Sequence, residues 1–211
     1  MKHEPSFMLS APMTHPPLPK TARGRQRREQ ILRAAERVIG RKGYSDASIA
    51  DITAEAQTAL GTFYIYFGSK EDVFTQLVAE MGRMTRRVLA GVAAESGDRL
   101  EAERRGLLAF LQFVQERPEL YRIVEEARFV NPPAYRAYFT TFAAAYREGL
   151  EAAAGAGEIS SGDAEVRAWA LMGMAKTLGE RYVLWSDGTP LDHVADEAFR
   201  MIRDGLGKGP G

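Results

Sequence analysis

The sequence predicts an all-α protein of about nine helices: an N-terminal three-helix unit containing a helix-turn-helix, then a larger helical body. Three observations carry this. Apolar residues recur at spacings of three and four along nearly the whole chain, the period of one helix face. No segment alternates apolar and polar residues as a strand would, and no internal repeat is found. Proline is sparse outside residues 1–22, where Pro5, Pro12, Pro16, Pro17 and Pro19 cluster. Such a stretch holds neither a helix nor a central strand, so residues 1–22 read as a disordered tail.

The elements follow in order. Over 25–42, Ile31, Ala35, Val38 and Ile39 share one helix face, and Gly43 is placed to stop the helix. Ser48 begins a short second helix, with Asp51 three residues on in a near capping box. A tight turn near Gln57 leads to a third helix of about eight residues. Ser69 and Asp72 repeat the capping pattern before a long helix, in which Val73, Leu77, Met81, Met84 and Val88 step along one side. Residues 98–116 place Leu107, Leu111 and Val114 together, and Pro118 opens the helix 118–129. Pro132 and Pro133 break the chain. Residues 134–154 align Tyr135, Tyr138, Phe139, Phe142 and Tyr146. Gly155, Gly157 and Gly162 mark a turn, and helices over 163–185 and 191–204 complete the chain.

Composition narrows the chemistry. The 211 residues carry 28 Lys/Arg against 28 Asp/Glu and no cysteine. Disulfides, thiolate metal sites and cysteine nucleophiles are thereby excluded, and a cytoplasmic location is expected. No apolar run is long enough for a transmembrane helix, and the N-terminus lacks the pattern of a signal peptide. Neutrality conceals an asymmetry. Residues 1–90 hold 14 Lys/Arg and 9 Asp/Glu, and the balance is reversed over 91–211. A basic N-terminal part is an electrostatic hint of a polyanion partner, although scattered solvated charges would look the same.

The most informative stretch is Ser48–Lys70, SIADITAEAQTALGTFYIYFGSK. It reads as a short helix, a turn and a second short helix that displays Thr62, Tyr64 and Tyr66 between the core candidates Phe63 and Phe67. An α-helix braced by another fits the DNA major groove. From periodicity alone, two short helices in an ordinary bundle, with Tyr64 and Tyr66 as surface residues, are the favoured explanation of the stretch.

Four motifs decide between these readings: RRxxILxAA at Arg27–Ala35, Gly43–Tyr44, SIxxI at Ser48–Ile52, and GTFYxYFxSKEDVF at Gly61–Phe74. In order, spacing and helix context they resemble the tetracycline-repressor (TetR) family of transcription regulators. The resemblance implies a DNA-binding domain over 23–70 and a ligand-binding and dimerisation domain over 71–211. It also implies DNA contacts. Ser48 would meet phosphate, Thr62, Tyr64 and Tyr66 would meet bases or backbone, and Lys70 would meet phosphate. Gly61 would permit close approach to the DNA backbone. Apart from the resemblance, Arg25 and Arg27, with Arg23 and Arg28, form a basic run that reads either as an arm for the minor groove or phosphates or as solvated charges. Gln57, Thr58, Ala59 and Leu60 depart from the family's usual Gly, β-branched residue, Ser and Lys. Thr58 is left as the substitute cap, and Leu60 is aimed at a thymine methyl.

Residues 99–185 hold 12 of the chain's 20 aromatic residues. Many must serve as core, but the resemblance implies an apolar effector pocket among them. The pocket candidates are Phe110, Phe113, Tyr121, Glu125, Arg128, Phe129, Tyr138, Phe142, Trp169 and Met172. The stretches 118–139 and 172–185 are similar to regulators of fatty-acid or aromatic acyl-CoA metabolism, which implies an acyl-CoA or a similar apolar ligand. The family's dimer interface implies Ala170, Gly173 and Thr177 on one helix and Val194, Ala198, Phe199 and Ile202 on the next. The expected partners are an operator duplex, a second copy of the chain and a small apolar effector, with no metal or cofactor. The competing readings are an enzyme in the central pocket or a helical ligand-binding protein that has lost DNA binding. His193 is the only histidine in the body and has no ligand-spaced neighbours, and no HExxH, GxSxG or phosphate loop occurs.

Overall fold

The computed structural model describes residues 16–186 and 188–206. Most of the expected tail, residues 1–15, lies outside the described residues. The elements are α1 Ala22–Lys42, α2 Ile49–Glu55, α3 Leu60–Tyr66, α4 Lys70–Ala94, α5 Arg99–Glu116, α6 Pro118–Val130, α7 Pro132–Gly155, α8 Ala164–Gly179 and α9 Leu191–Leu206. Among the described residues there is no strand, so the all-α class holds.

The helix ends have local causes. Thr21 caps α1 by accepting from the Gly24 amide, and the Gly43 amide closes the helix on Ile39 O. Ser48 and Asp51 form the full capping box of α2, so aspartate serves where a longer acid is usual. Ser69 caps α4 through the Asp72 amide. Asp98 caps α5 and Asp163 caps α8 in the same way. Pro132 and Pro133 open α7 instead of preceding it, because a first turn needs no proline N–H. The chain turns there on Asn131, whose side chain accepts from the Ala134 amide.

Two buried clusters organise the molecule. The proximal one joins α1, α2, α3, the first half of α4, the end of α5 and α6. It includes Ile31, Ile52, Phe63, Phe67, Phe74, Leu77, Leu120 and Ile123. The distal cluster joins the middle of α5, the end of α7, α8 and α9 around Leu111, Leu150, Ala168 and Ile202. Phe110 packs on both. The hydrophobic core therefore runs without a break across residue 70.

Two expectations are corrected. The single helix expected over 163–185 ends at Gly179 and continues as a π-helical turn, Glu180–Leu184, with the Trp185 amide bonded to Glu180 O. Val194, Ala198 and Ile202, expected at a dimer interface, are buried in their own protomer, where α9 packs on α5. The period-3.6 stripe of α9 was read correctly, but periodicity cannot tell an intramolecular partner from an intermolecular one.

Candidate nucleic-acid interface and effector cavity

The turn between α2 and α3 is made by Gln57, whose φ of 48° lies in the left-handed region. The Gln57 amide bonds Ala54 O and the Thr58 amide bonds Thr53 O. Gln30 Nε2 donates to Ala56 O at 2.8 Å and ties this turn to α1. The N-cap of α3 is Ala59, and no side chain caps the helix, so Thr58 does not take the role expected of it.

α3 buries Phe63, and Phe67 beyond its end is also fully buried. Its outward face consists of Leu60, Gly61, Tyr64 and Ile65, with Leu60 53%, Tyr64 50% and Ile65 64% exposed. No neighbour lies within 4 Å of the point where a Gly61 Cβ would stand, so this face is open. Thr62 is half-buried, and Tyr66 packs back on the proximal core. The presented ridge is thus Leu60, Gly61, Tyr64 and Ile65 instead of Thr62, Tyr64 and Tyr66. Ile65 was overlooked. Its signal was present, since residues two away from both Phe63 and Phe67 on a 3.6-residue period must face outward.

Several basic residues near this ridge are already engaged. Lys70 Nζ donates to Tyr44 O at 2.7 Å and Ala47 O at 2.8 Å, and stands over the Tyr44 ring. It therefore holds the α1–α2 loop, and a backbone-carbonyl cage occupies the ammonium expected at phosphate. Arg37 and Arg41 pair with Glu55, and Lys42 pairs with Asp51. Hydrogen bonds from Lys42 and Ser48 pull the Asp51 carboxyl down to about 2. Arg28 lies over the Phe67 ring, and burial lowers its pKa. Arg25 is exposed and donates to Lys20 O, and Arg27 donates to Gln30. Ser48 stands exposed at the start of α2.

Behind this unit lies a cavity of about 530 Å³ enclosed by α4, α5, α6, α7, α8 and α9. Phe110, Tyr121, Glu125, Tyr138, Phe142 and Met172 line it, as expected. Phe113 does not; it belongs to the proximal core. Arg128 and Phe129 border a separate shallow depression outside α6, and Phe129 is 82% exposed. Trp169 lies on the outer face of α8, stacked on Phe139 and donating to Glu165. Tyr121 donates to Lys176 O at 2.9 Å, and burial pushes its hydroxyl far above the usual tyrosine pKa. Lys176 pairs with Glu125 at 2.9 Å. The cavity also exposes Arg99, Glu103 and Tyr146, which the sequence reading did not select. The Arg99–Glu103 spacing of four was the available signal.

α6 joins the cavity to the α1–α3 unit. Tyr121, Val124 and Glu125 face the cavity. Glu126 accepts the Tyr44 amide on both oxygens at 3.0 Å, Arg117 Nε lies 3.3 Å from Glu36, and Gly40 lies against Glu119. Burial raises the Glu36 carboxyl pKa, and Arg117 opposes the shift. No helix of the described residues is long and apolar enough to cross a membrane.

Known proteins share the helix-turn-helix sequence and the fold. The family profile described as bacterial regulatory proteins, tetR family, matches residues 31–77. The HTH-type transcriptional regulator YdgC of Bacillus subtilis is 30% identical over 193 residues, covering 89% of this chain and 97% of YdgC. In fold, the chain matches FadR from Bacillus subtilis, solved with stearoyl-CoA, with a TM-score of 0.74 at 21% identity over 84% of this chain and 98% of FadR. It also matches AibR, solved with isovaleryl coenzyme A and operator DNA, with a TM-score of 0.68 at 19% identity over 83% of this chain and 97% of AibR. These relatives are regulators, not enzymes. With helix order, the helix-turn-helix and near full-length sequence similarity in agreement, the chain belongs to the TetR family of transcriptional regulators.

Proposed function

We propose that the protein is a homodimeric repressor that binds a palindromic operator and is released by a small apolar effector of the acyl-CoA class. The observation that carries this reading is the pairing of an exposed α3 ridge with a largely apolar cavity among α4–α9, linked through α6. Leu60, Tyr64 and Ile65 suit base edges and thymine methyls, and Gly61 allows a close approach to the DNA backbone. Thr62 and Tyr66 flank that contact. Ser48, Thr58, Arg25 and Arg27 serve the phosphates, and Lys70 supports the loop that carries Ser48.

Two α3 helices would occupy successive major grooves, about 34 Å apart. The dimer forms on the outward face of α8, where Val166, Trp169, Ala170, Gly173 and Thr177 are exposed, with the half-buried Phe199 of α9 beside it. Effector in the cavity shifts α6, and Glu126, Arg117 and Glu119 carry the shift into α1 and the loop at Tyr44. For release, the effector must bind the DNA-incompetent arrangement more tightly than the competent one. The stearoyl-CoA and isovaleryl-CoA held by FadR and AibR support the choice of ligand class. A chromosomal operator places the work in the cytoplasm.

The test is fluorescence anisotropy with duplex DNA from upstream of the protein's own gene. Specific binding should fall on adding hexadecanoyl-CoA. Tyr64→Ala should lose about 1–3 kcal/mol of affinity with its circular dichroism unchanged. Undiminished affinity in a folded variant would remove α3 from the interface.

A further inference from the structure

The cavity carries polar side chains at two separate places. The proximal set is Arg86, Glu125, Lys176 and Tyr138, where α4, α6, α7 and α8 approach one another. The distal set is Arg99 and Glu103 from the start of α5, with Tyr146 of α7. Tyr138 and Tyr146 are two turns apart on α7, so the sets are separated by about 12 Å. Between them the wall is apolar, built from Leu89, Phe110, Phe142 and Leu171.

The distal set is a built site. Glu103 is 5% exposed, and it accepts from Arg99 Nε at 2.7 Å, with Arg99 Nη2 at 2.6 Å. Tyr146 donates its hydroxyl proton to the other Glu103 oxygen. The Arg99 guanidinium lies over the Tyr146 ring, 5.0 Å from its centroid, in space that a side chain on Gly149 would fill. A brace between α5 and α7 would need only the interior, yet Arg99, Glu103, Tyr146 and Gly149 all reach the cavity wall.

The charges of Arg99 and Glu103 cancel. A ligand carboxylate would bring a second anion to one cation, and a ligand cation would meet Arg99, each in a largely desolvated place. A neutral group meets neither obstacle. The guanidinium has N–H groups beyond those given to Glu103 and to the Tyr146 oxygen, and that oxygen retains one lone pair beside the one facing Arg99. A hydroxyl can use both, accepting from one and donating to the other. Resting on the reading of this cavity as the effector site, we propose that its distal end is a hydroxyl subsite, so that the apolar chain of the effector carries a hydroxyl at its far end.

The test uses decane-1,10-diol and decan-1-ol in titration calorimetry with the full chain. The second hydroxyl makes the diol the less hydrophobic ligand, so burial alone favours the alcohol. The diol should nevertheless bind about fivefold more tightly, the worth of one hydrogen bond. That preference should disappear in Tyr146→Phe. It should also disappear in Gly149→Ala, which displaces the guanidinium without deleting a charge and carries the test should Tyr146→Phe fail to fold. Equal binding, tighter binding of the alcohol, binding of neither, or a preference that survives both substitutions overturns the proposal. Release from DNA by hexadecanoyl-CoA without a diol preference leaves the effector reading intact and removes only the hydroxyl subsite. A diol preference without release by hexadecanoyl-CoA removes the acyl-CoA assignment and keeps the subsite.

Discussion

Gln57 bears the clearest local strain in the helix-turn-helix, with a positive φ on a residue that has a Cβ. Its exposed side chain gives no compensating burial. Gln57→Gly should therefore stabilise the fold by about 1 kcal/mol, read as a higher urea midpoint at unchanged slope. Asp51 makes a pH-dependent contribution with a definite sign. Its folded pKa of about 2 lies below the ordinary 3.8 because Lys42 and Ser48 hold the carboxylate. Its stabilising effect is complete above about pH 4 and is lost as pH falls toward about 2. In acid titrations by circular dichroism, the gap between wild type and Asp51→Asn should be constant above that window and close within it. Lys70 shows the limit of reading single residues. Its motif position is legible in the sequence, but its engagement with the Tyr44 and Ala47 carbonyls depends on a loop fold that no spacing rule reports.

Among the elements, α6 has the least redundant position. One side lines the cavity, and the other touches α1 and the α1–α2 loop. The crossing depends on Gly40, where a Cβ would collide with Glu119 Cβ and stand 3.0 Å from its Cα. Gly40→Ala should cost about 1–3 kcal/mol in denaturant unfolding, since the obstacle includes backbone. The short α3 was legible because Phe63 and Phe67 mark its inner side, and α9 was legible because its apolar stripe is regular. The π-helical turn after α8 was not. Its sequence, ERYVL, carries no glycine or proline to signal a change of helix type.

For the whole molecule, the issue is which apolar faces meet another copy. The stripe of α9 is spent inside the protomer, which leaves the α8 face with Val166, Trp169, Ala170, Gly173 and Thr177. Light scattering should give a mass near twice 23.3 kDa. No neighbour stands within 4 Å of a Gly173 Cβ position, so Gly173→Arg should leave helicity unchanged, yield a monomer and abolish specific DNA binding. A dimer that persists in this variant would move the interface elsewhere.

The sequence by itself determined the helical class, the order and approximate ends of the helices, the helix-turn-helix and the family. Each of these is written in local periodicity, capping residues or a contiguous motif. The outward position of Ile65 was legible too, in its spacing from Phe63 and Phe67, although it was overlooked. Tertiary structure alone decided that Lys70 closes a loop and that Thr58 leaves α3 uncapped. It also placed Phe113 and Trp169 outside the cavity and lined the cavity with Arg99, Glu103 and Tyr146. These outcomes depend on how each helix is rotated against partners distant in the chain. Periodicity shows that a helix has an apolar side but not which neighbour, cavity or second protomer that side will meet.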